Sequence, residues 1–420
     1  MDNQLISLAL KYKETKLWER INENQVFAVK TADGMRFVCI MGGSGQYIAI
    51  NMYTHDGFSS FWKMNKFDDV QTDDFFELHE RMLCQDCIQL SFASEENVSQ
   101  YVMESLMKYK AETGVNPTLN GMLPTIEKFR PYYFPWHDLT DEESDSLKTV
   151  LKVVSRIAKD ESKCADIQEV KTPGAQIPVF ELQDGEAVRA GEMELPGEAV
   201  EEYEDVIFTN DIMCAKARSM DKNGRFYAQL IRLIEPMQDQ PEKAPYFPMI
   251  MLVVKDDETM MIPSGISMDY ENNPQEIIMG LINACGSLEV CPEEIVCIDE
   301  RTLKLVSDFA DKAGIATSLD EESDGYQIIG NAKSMLLQKM QGGAPTADDD
   351  DEDYEEWLGD DEEFDEGDEN RFIAEAMLMM DKEELKALPS EYLDMMKAIL
   401  DEGELPEDIT EELRKKLDNL

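Results

Sequence analysis

The clearest pattern of apolar and polar positions lies between Arg225 and Met340. Residues 247–254 (FPMIMLVV) form a continuous apolar run of strand length, too short to cross a bilayer. Asp256-Asp257-Glu258 marks a turn, and Met260-Met261-Ile262 leads back as a further strand. Upstream, residues 212–220 and 225–234 flank Lys222-Asn223-Gly224 and predict a hairpin. A helix follows, with Asn273 as N-cap and Pro274 at its first position. Ile277, Ile278, Leu281, Ile282 and Cys285 recur at helical spacing, and Gly286 stands at the expected end. Residues 295–298 read as a short buried strand. Asp299 can cap the next helix, which carries Leu303, Val306 and Ala310 on one face and stops at Gly314. Residues 315–319 form another strand and 328–340 a final helix. Strand, helix and strand joined by a short return imply a parallel pair.

The amino-terminal third has a different rhythm. Residues 1–22 read as an amphipathic helix with Leu5, Leu8, Leu10 and Trp18 as its apolar members. Two strands, 25–30 and 36–41, flank a turn at Ala32-Asp33-Gly34, since Asp-Gly between apolar runs marks a hairpin. Gly42-Gly43-Ser44-Gly45 leads into a third strand at 47–53. A short aromatic helix carries Phe58, Phe61 and Trp62. Residues 75–83 read as helix, 87–92 as strand and 96–112 as helix, and 117–135 are rich in proline and aromatic residues. Thr140 with Glu143 forms a capping box ahead of the stripe Leu147, Val150, Leu151, Val154 and Ile157.

These elements predict an α/β (α+β) chain with two mixed-sheet domains, 1–165 and 206–341. Residues 166–205 read as a connector with an edge strand at 177–182. Residues 342–370 form an acidic linker, because positions 348–369 hold sixteen acidic residues and no basic one. Such a run buries too little apolar surface to offset its ordering entropy and is expected to be disordered. Residues 371–420 predict a small unit of three short helices at 372–388, 390–400 and 409–420. The methionines at 377, 379, 380, 395 and 396 read either as an adaptable groove or as the core of that unit.

Composition narrows the function classes. The 420 residues carry 39 Lys+Arg against 89 Asp+Glu, a formal charge of −50. That excess opposes direct binding to nucleic acid and attracts cationic partners. No 18-residue apolar segment exists and Asp2 stands where a leader's positive charge belongs, so neither a membrane span nor a signal peptide is expected. Eight scattered cysteines in a chain of this size fit a reducing cytoplasm.

Candidate chemistry is sparse, and no cofactor is implied. Cys84-x-x-Cys87 with His79 offers three zinc ligands, with Cys39 or His55 as a fourth. It lacks a second CxxC, and structural thiols are the plainer reading. Gly42-Gly43-Ser44-Gly45 lacks the GK[ST] ending of a phosphate loop and reads as a turn. His137 reads as a loop residue ahead of a helix.

From Arg225 onward the order of elements resembles the ribonuclease H-like fold, whose enzymes hold two metal ions on carboxylates. That resemblance implies Asp299 after the fourth strand, Glu276 on the first helix and Glu235 at the end of the first strand as candidate ligands. The first strand has no internal carboxylate, residues 328–340 have none, and a strand at 212–220 would be an addition to that fold. Asp299 as a plain helix N-cap is therefore the favoured reading.

Residues 1–340 also resemble a family of uncharacterised bacterial proteins, mostly from Firmicutes, built from two adjacent domains of unknown function. The features that carry this are Met41-Gly42-Gly43-Ser44-Gly45 with the aromatic helix, FPWHDLTDEE at 134–143, and Cys291-Pro292-Glu293-Glu294-Ile295-Val296 with Ala313-Gly314-Ile315. Relatives can carry a metal-binding SEC-C tail, whereas this chain has no Cys or His after Cys297. The resemblance implies no activity. The sequence thus points to a non-catalytic cytosolic binding or adaptor protein with a basic protein partner. Tyr354, Trp357 and Phe364 are its candidate anchors in the acidic run. The alternative is a degenerate ribonuclease H-like metal-dependent nuclease or phosphoryl-transfer enzyme.

Overall fold

The computed structural model describes residues 2–45, 47–65, 74–199, 202–256, 261–262, 264–288, 290–320, 324–340, 400 and 407–418. The fold is α/β with two mixed sheets. Two compact units divide the chain: Met1–Glu201 with Ile234–Phe247, and Glu202–Leu233 with Pro248–Leu420. The acidic run at 348–369, with Tyr354, Trp357 and Phe364, lies outside the described residues, as does the helix expected at 372–388.

The first unit is built on seven strands: β1 (Phe27–Thr31), β2 (Gly34–Met41), β3 (Ala49–Tyr53), β4 (Cys87–Ser94), β5 (Met122–Phe129), β6 (Gln176–Gln183) and β7 (Glu186–Glu194). Their spatial order is β5-β4-β3-β2-β1-β6-β7. Only β1 with β6 is parallel, in the register Ala28 to Val179 and Val29 to Phe180. Six helices accompany them: α1 (Asn3–Thr15), α2 (Ser59–Asn65), α3 (Phe75–Met82), α4 (Gln100–Thr113), α5 (Asp141–Ile157) and α6 (Glu161–Asp166).

Strand alternation gives this sheet two different faces. On one, Phe27, Val29, Val38, Ile40, Ile50, Ile88 and Leu90 pack with Leu5, Ala9 and Tyr12 of α1 and with the predicted stripe of α5. The capping box of α5 is complete: Thr140 Oγ1 accepts from Glu143 N (3.2 Å), and Glu143 Oε2 accepts from Thr140 N (2.9 Å). On the other face, Ala28, Phe37, Cys39, Tyr53 and Cys87 pack with Phe58, Phe61 and Trp62. This face also carries a hydrogen-bonded polar strip. Gln89 Nε2 donates to Asn51 Oδ1 (2.7 Å), Asn51 Nδ2 to Tyr53 Oη (3.2 Å), and Tyr47 Oη to Gln89 Oε1. The amides therefore keep partners although Asn51 and Gln89 are buried.

The second unit has six strands: β8 (Arg225–Arg232), β9 (Met249–Lys255), β10 (Met261–Ile262), β11 (Ile266–Ser267), β12 (Glu294–Cys297) and β13 (Ala316–Leu319). The order is β10-β9-β8-β12-β13, with β11 also on β9. Strands β8, β9 and β10 are antiparallel, whereas β12 runs parallel to both β8 and β13. This is the ribonuclease H-like arrangement expected from the sequence. Helices α7 (Asp211–Ser219), α8 (Gln275–Ser287) and α9 (Glu300–Ala313) share one core with Phe226, Ala228, Leu230, Met251, Val253, Ile295 and Cys297. Helix α10 (Asp324–Met340) contacts β8 and β9, and α11 (Glu407–Asp418) is the last described element.

Several expectations are corrected. The stretch read as a strand at 212–220 is instead helix α7 (Asp211–Ser219), because Ile212, Met213, Cys214 and Ala217 bury one helical face and Asn210 Oδ1 caps Met213 N (3.1 Å). The extra strand that set the sequence apart from a ribonuclease H-like order therefore disappears. Pro274, not Asn273, is the N-cap of α8, and Asn273 Nδ2 instead donates to Glu276 Oε1 (2.6 Å). Gly286 lies inside the last turn, which ends at Leu288. The segment read as a connector contributes β6 and β7 to the first sheet. Residues 234–247, read with the second domain, belong to the first unit. There Phe134 N donates to Pro245 O (2.8 Å), Phe247 N donates to Tyr132 O (2.9 Å), and Tyr133 packs edge-on to Tyr246.

Helix α8 lies unusually close to the backbone before β11. A Cβ added to Gly280 would fall 2.0 Å from Gly265 N and 2.2 Å from Gly265 Cα. Backbone atoms there cannot yield as a flexible side chain can. Gly280→Ala is expected to destabilise the second unit by about 3 kcal/mol despite alanine's better helix propensity. Gly330 of α10 has open space around a Cβ. Gly330→Ala is expected to be neutral or to add up to about 1 kcal/mol. Urea unfolding of the two variants checks the contrast.

Candidate functional site

In an α/β sheet the place to search is beyond the carboxyl ends of the strands, where the strand order reverses. In the second unit that place lies between β8 and β12. The parallel register ends at Cys297 opposite Ala228, so β8 runs four residues past the last paired position. Backbone groups on that flank of β8 need other partners.

The first turn of α9 supplies them. Thr302 is fully buried, and its Oγ1 accepts from Leu230 N (2.8 Å). The same hydroxyl donates to Asp299 Oδ1 (2.9 Å), which also accepts from Thr302 N (2.7 Å). Arg301 Nη2 donates to Leu230 O (3.3 Å). Asp299 is therefore the N-cap of α9, and through Thr302 it also anchors the helix on β8. This Asp–Thr relay was invisible in sequence, where Asp299 and the strand it serves lie about seventy positions apart.

Around this anchor stands a charged cluster. Arg232, at the end of β8, is 1% exposed and donates from Nη2 to Glu271 Oε1 (2.8 Å), whose side chain is 41% exposed. The Tyr270 phenol is pushed up to about 12, chiefly by burial; Arg301 and Arg232 oppose the rise, and Glu271 and Asp299 add to it. It stays a neutral hydrogen-bonding group at physiological pH. Two guanidinium groups thus face two carboxylates around one phenol. The arginines of this set suit carboxylate or phosphate oxygens. The one sequence signal for it was Arg232, a charge directly after the apolar pair Leu230-Ile231.

The other predicted carboxylates have their own surroundings. Glu276, on the first turn of α8, accepts from Ser267 Oγ (2.8 Å) at Oε2 and from Asn273 Nδ2 at Oε1. Glu235 falls in the segment that belongs to the first unit, whereas Glu276 and Asp299 belong to the second. Among the described residues no group of three or more His, Cys, Asp or Glu side chains is placed to hold a metal ion.

The same holds for His79, Cys84 and Cys87. His79 stacks on Phe75 and meets Phe247 edge-on, with ring centroids 5.2 Å apart. Cys84 Sγ donates to Arg81 O (2.8 Å). Cys87 is buried at the start of β4, where burial and then Asp86 push its thiol well above the ordinary value. Cys39 Sγ donates to Glu23 O, and the exposed His55 pairs with Asp56. Gly42-Gly43-Ser44-Gly45 makes the turn between β2 and β3, with Gly45 N donating to Gly42 O (2.8 Å). A Cβ on Gly42 would meet Trp18 Cγ at 3.1 Å, so this glycine serves packing.

Comparison with known families agrees with two globular parts. Residues 3–176 match a Domain of unknown function (DUF7309), and residues 214–328 match a second Domain of unknown function (DUF6930). The chain carries two adjacent domains of unknown function. No curated protein and no solved structure matches it. The cluster around Tyr270 lies within the second matched domain, and the seven-stranded sheet draws β1 to β5 from the first, whereas β6 beyond Gln176 and all of β7 lie past its end.

The Thr302 relay is testable. Thr302→Val keeps the shape of the side chain but strands a buried backbone N–H, and is expected to cost about 1–3 kcal/mol. Thr302→Ser retains the hydroxyl and is expected to lose less than half as much. Unfolding midpoints in urea measure both.

Proposed function

We propose that this is a non-catalytic binding protein of the bacterial cytoplasm, an adaptor whose partner is a protein with a basic surface. The observation that carries this reading is the structural engagement of Asp299 at the strand ends, where it caps α9 and holds Thr302, with Arg232 paired to Glu271 beside it. A two-metal enzyme of this topology needs surplus carboxylate there. Asp299 instead caps and anchors α9, and Glu276 ties Ser267 to Asn273. The charge of −50 supports a cationic partner. Eight cysteines without a disulfide, seven of them buried, support a reducing compartment. The resemblance of residues 1–340 to a bacterial family supports the source. Tyr354, Trp357 and Phe364 are the proposed anchors, since aromatic residues concentrate binding energy in contact segments.

The metal-dependent nuclease or phosphoryl-transfer reading rests on strand order alone, and fold does not carry function. Thermal melts with and without millimolar Mg²⁺ or Mn²⁺ separate the two. Under the capping role, Asp299→Asn is expected to be nearly neutral, and Asp299→Ala to cost about 1–2 kcal/mol, in all conditions. Metal-dependent stabilisation of the wild type, lost in both variants, overturns the proposal.

Deleting residues 348–369 tests the anchor segment. Residues 1–340 are expected to melt within about 3 °C of the parent, because an acidic run with few apolar residues has little to dock with. The partner recovered by affinity purification from the native host, and identified by mass spectrometry, is expected to be lost with the deletion. Undiminished recovery refutes the assignment of Tyr354, Trp357 and Phe364.

A further inference from the structure

One apolar surface of the first unit is left open to solvent. It is assembled from three segments far apart in sequence: α3, the aromatic loop at 132–134 and the end of the segment Ile234–Phe247. Backbone hydrogen bonds join them. Tyr132 N donates to Leu83 O (2.8 Å), Phe247 N to Tyr132 O (2.9 Å), and Phe134 N to Pro245 O (2.8 Å). A line of rings crosses the join: Phe75 stacks on His79 with centroids 6.3 Å apart, His79 meets Phe247 at 5.2 Å, and Phe247 meets Phe134 at 6.5 Å. Phe247 is buried within this line, whereas Phe75, Met82 and Phe134 are 45–55% exposed. Phe75, His79 and Met82 stand at i, i+4 and i+7 of α3, a single stripe about 10 Å long. The helix buries Phe76 and turns this stripe outward. Exposed apolar side chains gathered in this way mark a contact surface.

Charge decides which partner fits. Helix α3 with its cap Asp74, and the segment Ile234–Phe247, together hold six carboxylates against Arg81 and Lys243. The bases on α3 and beside the aromatic loop are already engaged: Arg81 with Glu77 (2.9 Å), Arg130 with Asp138 (3.0 Å) and Lys128 with Glu143 (2.7 Å). The surface is therefore apolar, and the segments that frame it are acidic. An acidic partner is repelled there and a basic one attracted. The stripe on α3 has the spacing by which one helix meets the apolar face of another. Met82, with its unbranched thioether side chain, adapts to the shape of such a face.

We infer that this surface docks an amphipathic helix of a basic protein. The apolar face of that helix lies on Phe75, Met82 and Phe134, and its lysines or arginines face the carboxylates of α3 and of Ile234–Phe247. The inference rests on the reading of a partner with a basic surface, and it adds a contact on the folded first unit, separate from Tyr354, Trp357 and Phe364.

The probe is a synthetic leucine–lysine helix of about fifteen residues with one apolar face, set against the same peptide with glutamate for lysine. Both are titrated into the full chain at about 0.15 M salt, where long-range attraction is screened. Calorimetry reads affinity, and the His79 ring resonance, one of three histidine signals, reads location. The lysine peptide is expected to bind and to shift His79, and the glutamate peptide not to bind. Phe75→Asp and Met82→Ser are each expected to weaken the lysine peptide about tenfold. Phe75→Asp adds negative charge, so attraction by charge alone would tighten the complex instead. Met82→Ser, the milder change at a half-exposed position, decides should Phe75→Asp fail to fold. Deleting residues 348–369 is expected to leave the His79 shift in place. Binding that vanishes with that deletion and ignores both substitutions overturns this surface and leaves the basic-partner reading intact. Preference for the glutamate peptide overturns both. No binding of either peptide, or an unmoved His79, overturns the surface. Self-association of the free chain that Phe75→Asp abolishes names a second copy as the occupant, and a His79 shift seen only after removal of residues 371–420 names the chain's own last residues; either overturns the inference.

Discussion

The second domain depends on how its central strand is finished. Strand β8 outruns β12, and a buried strand flank with open N–H and C=O groups would be costly. The first turn of α9 takes over where β12 stops. Thr302 receives Leu230 N, Asp299 receives Thr302, and Arg301 reaches Leu230 O. One turn of helix therefore caps itself, continues the ladder and sets where the charged cluster stands. Glycine packing plays the matching part on α8, where Gly280 and Gly265 let helix and backbone approach within reach of a missing Cβ.

The consequence for chemistry is that the position a metal-dependent enzyme would use is occupied by groups with structural duties. Asp299 is bound on one oxygen by a backbone N–H and a hydroxyl. Arg232 has its charge met by Glu271, and Tyr270 remains protonated between them. Strand order alone does not carry a function, and the side chains at the strand ends are engaged in the fold itself.

The first domain separates its duties by face. Helices α1 and α5 close one side of the sheet with an apolar core. The other side combines an aromatic cluster with the amide and hydroxyl strip through Asn51 and Gln89. The aromatic loop at residues 132–134 receives the segment Ile234–Phe247, which lies between β8 and β9 in sequence but belongs to this unit. Contacts of that kind are set by shape and backbone pairing, and they leave no period in the sequence.

What the sequence determined by itself was whatever is local and strongly patterned. The α5 stripe with its Thr140–Glu143 box, the Asp299 and Gly314 caps of α9, the apolar run of β9 and the glycine turn after β2 are all governed by neighbours a few residues away. The pattern was misread where the local signal was weak or pointed elsewhere. Residues 212–220 resemble a strand until one sees that their apolar side chains bury a helical face. Strand β5 carries Pro124, which is tolerated because β5 is an edge. Strand β7 buries almost nothing and so shows no alternation. Beyond these, only the tertiary structure decided which distant groups meet: Leu230 with Thr302, Arg232 with Glu271, Tyr101 with His137. Those pairings depend on how sheets and helices stack, and no spacing along a chain encodes them.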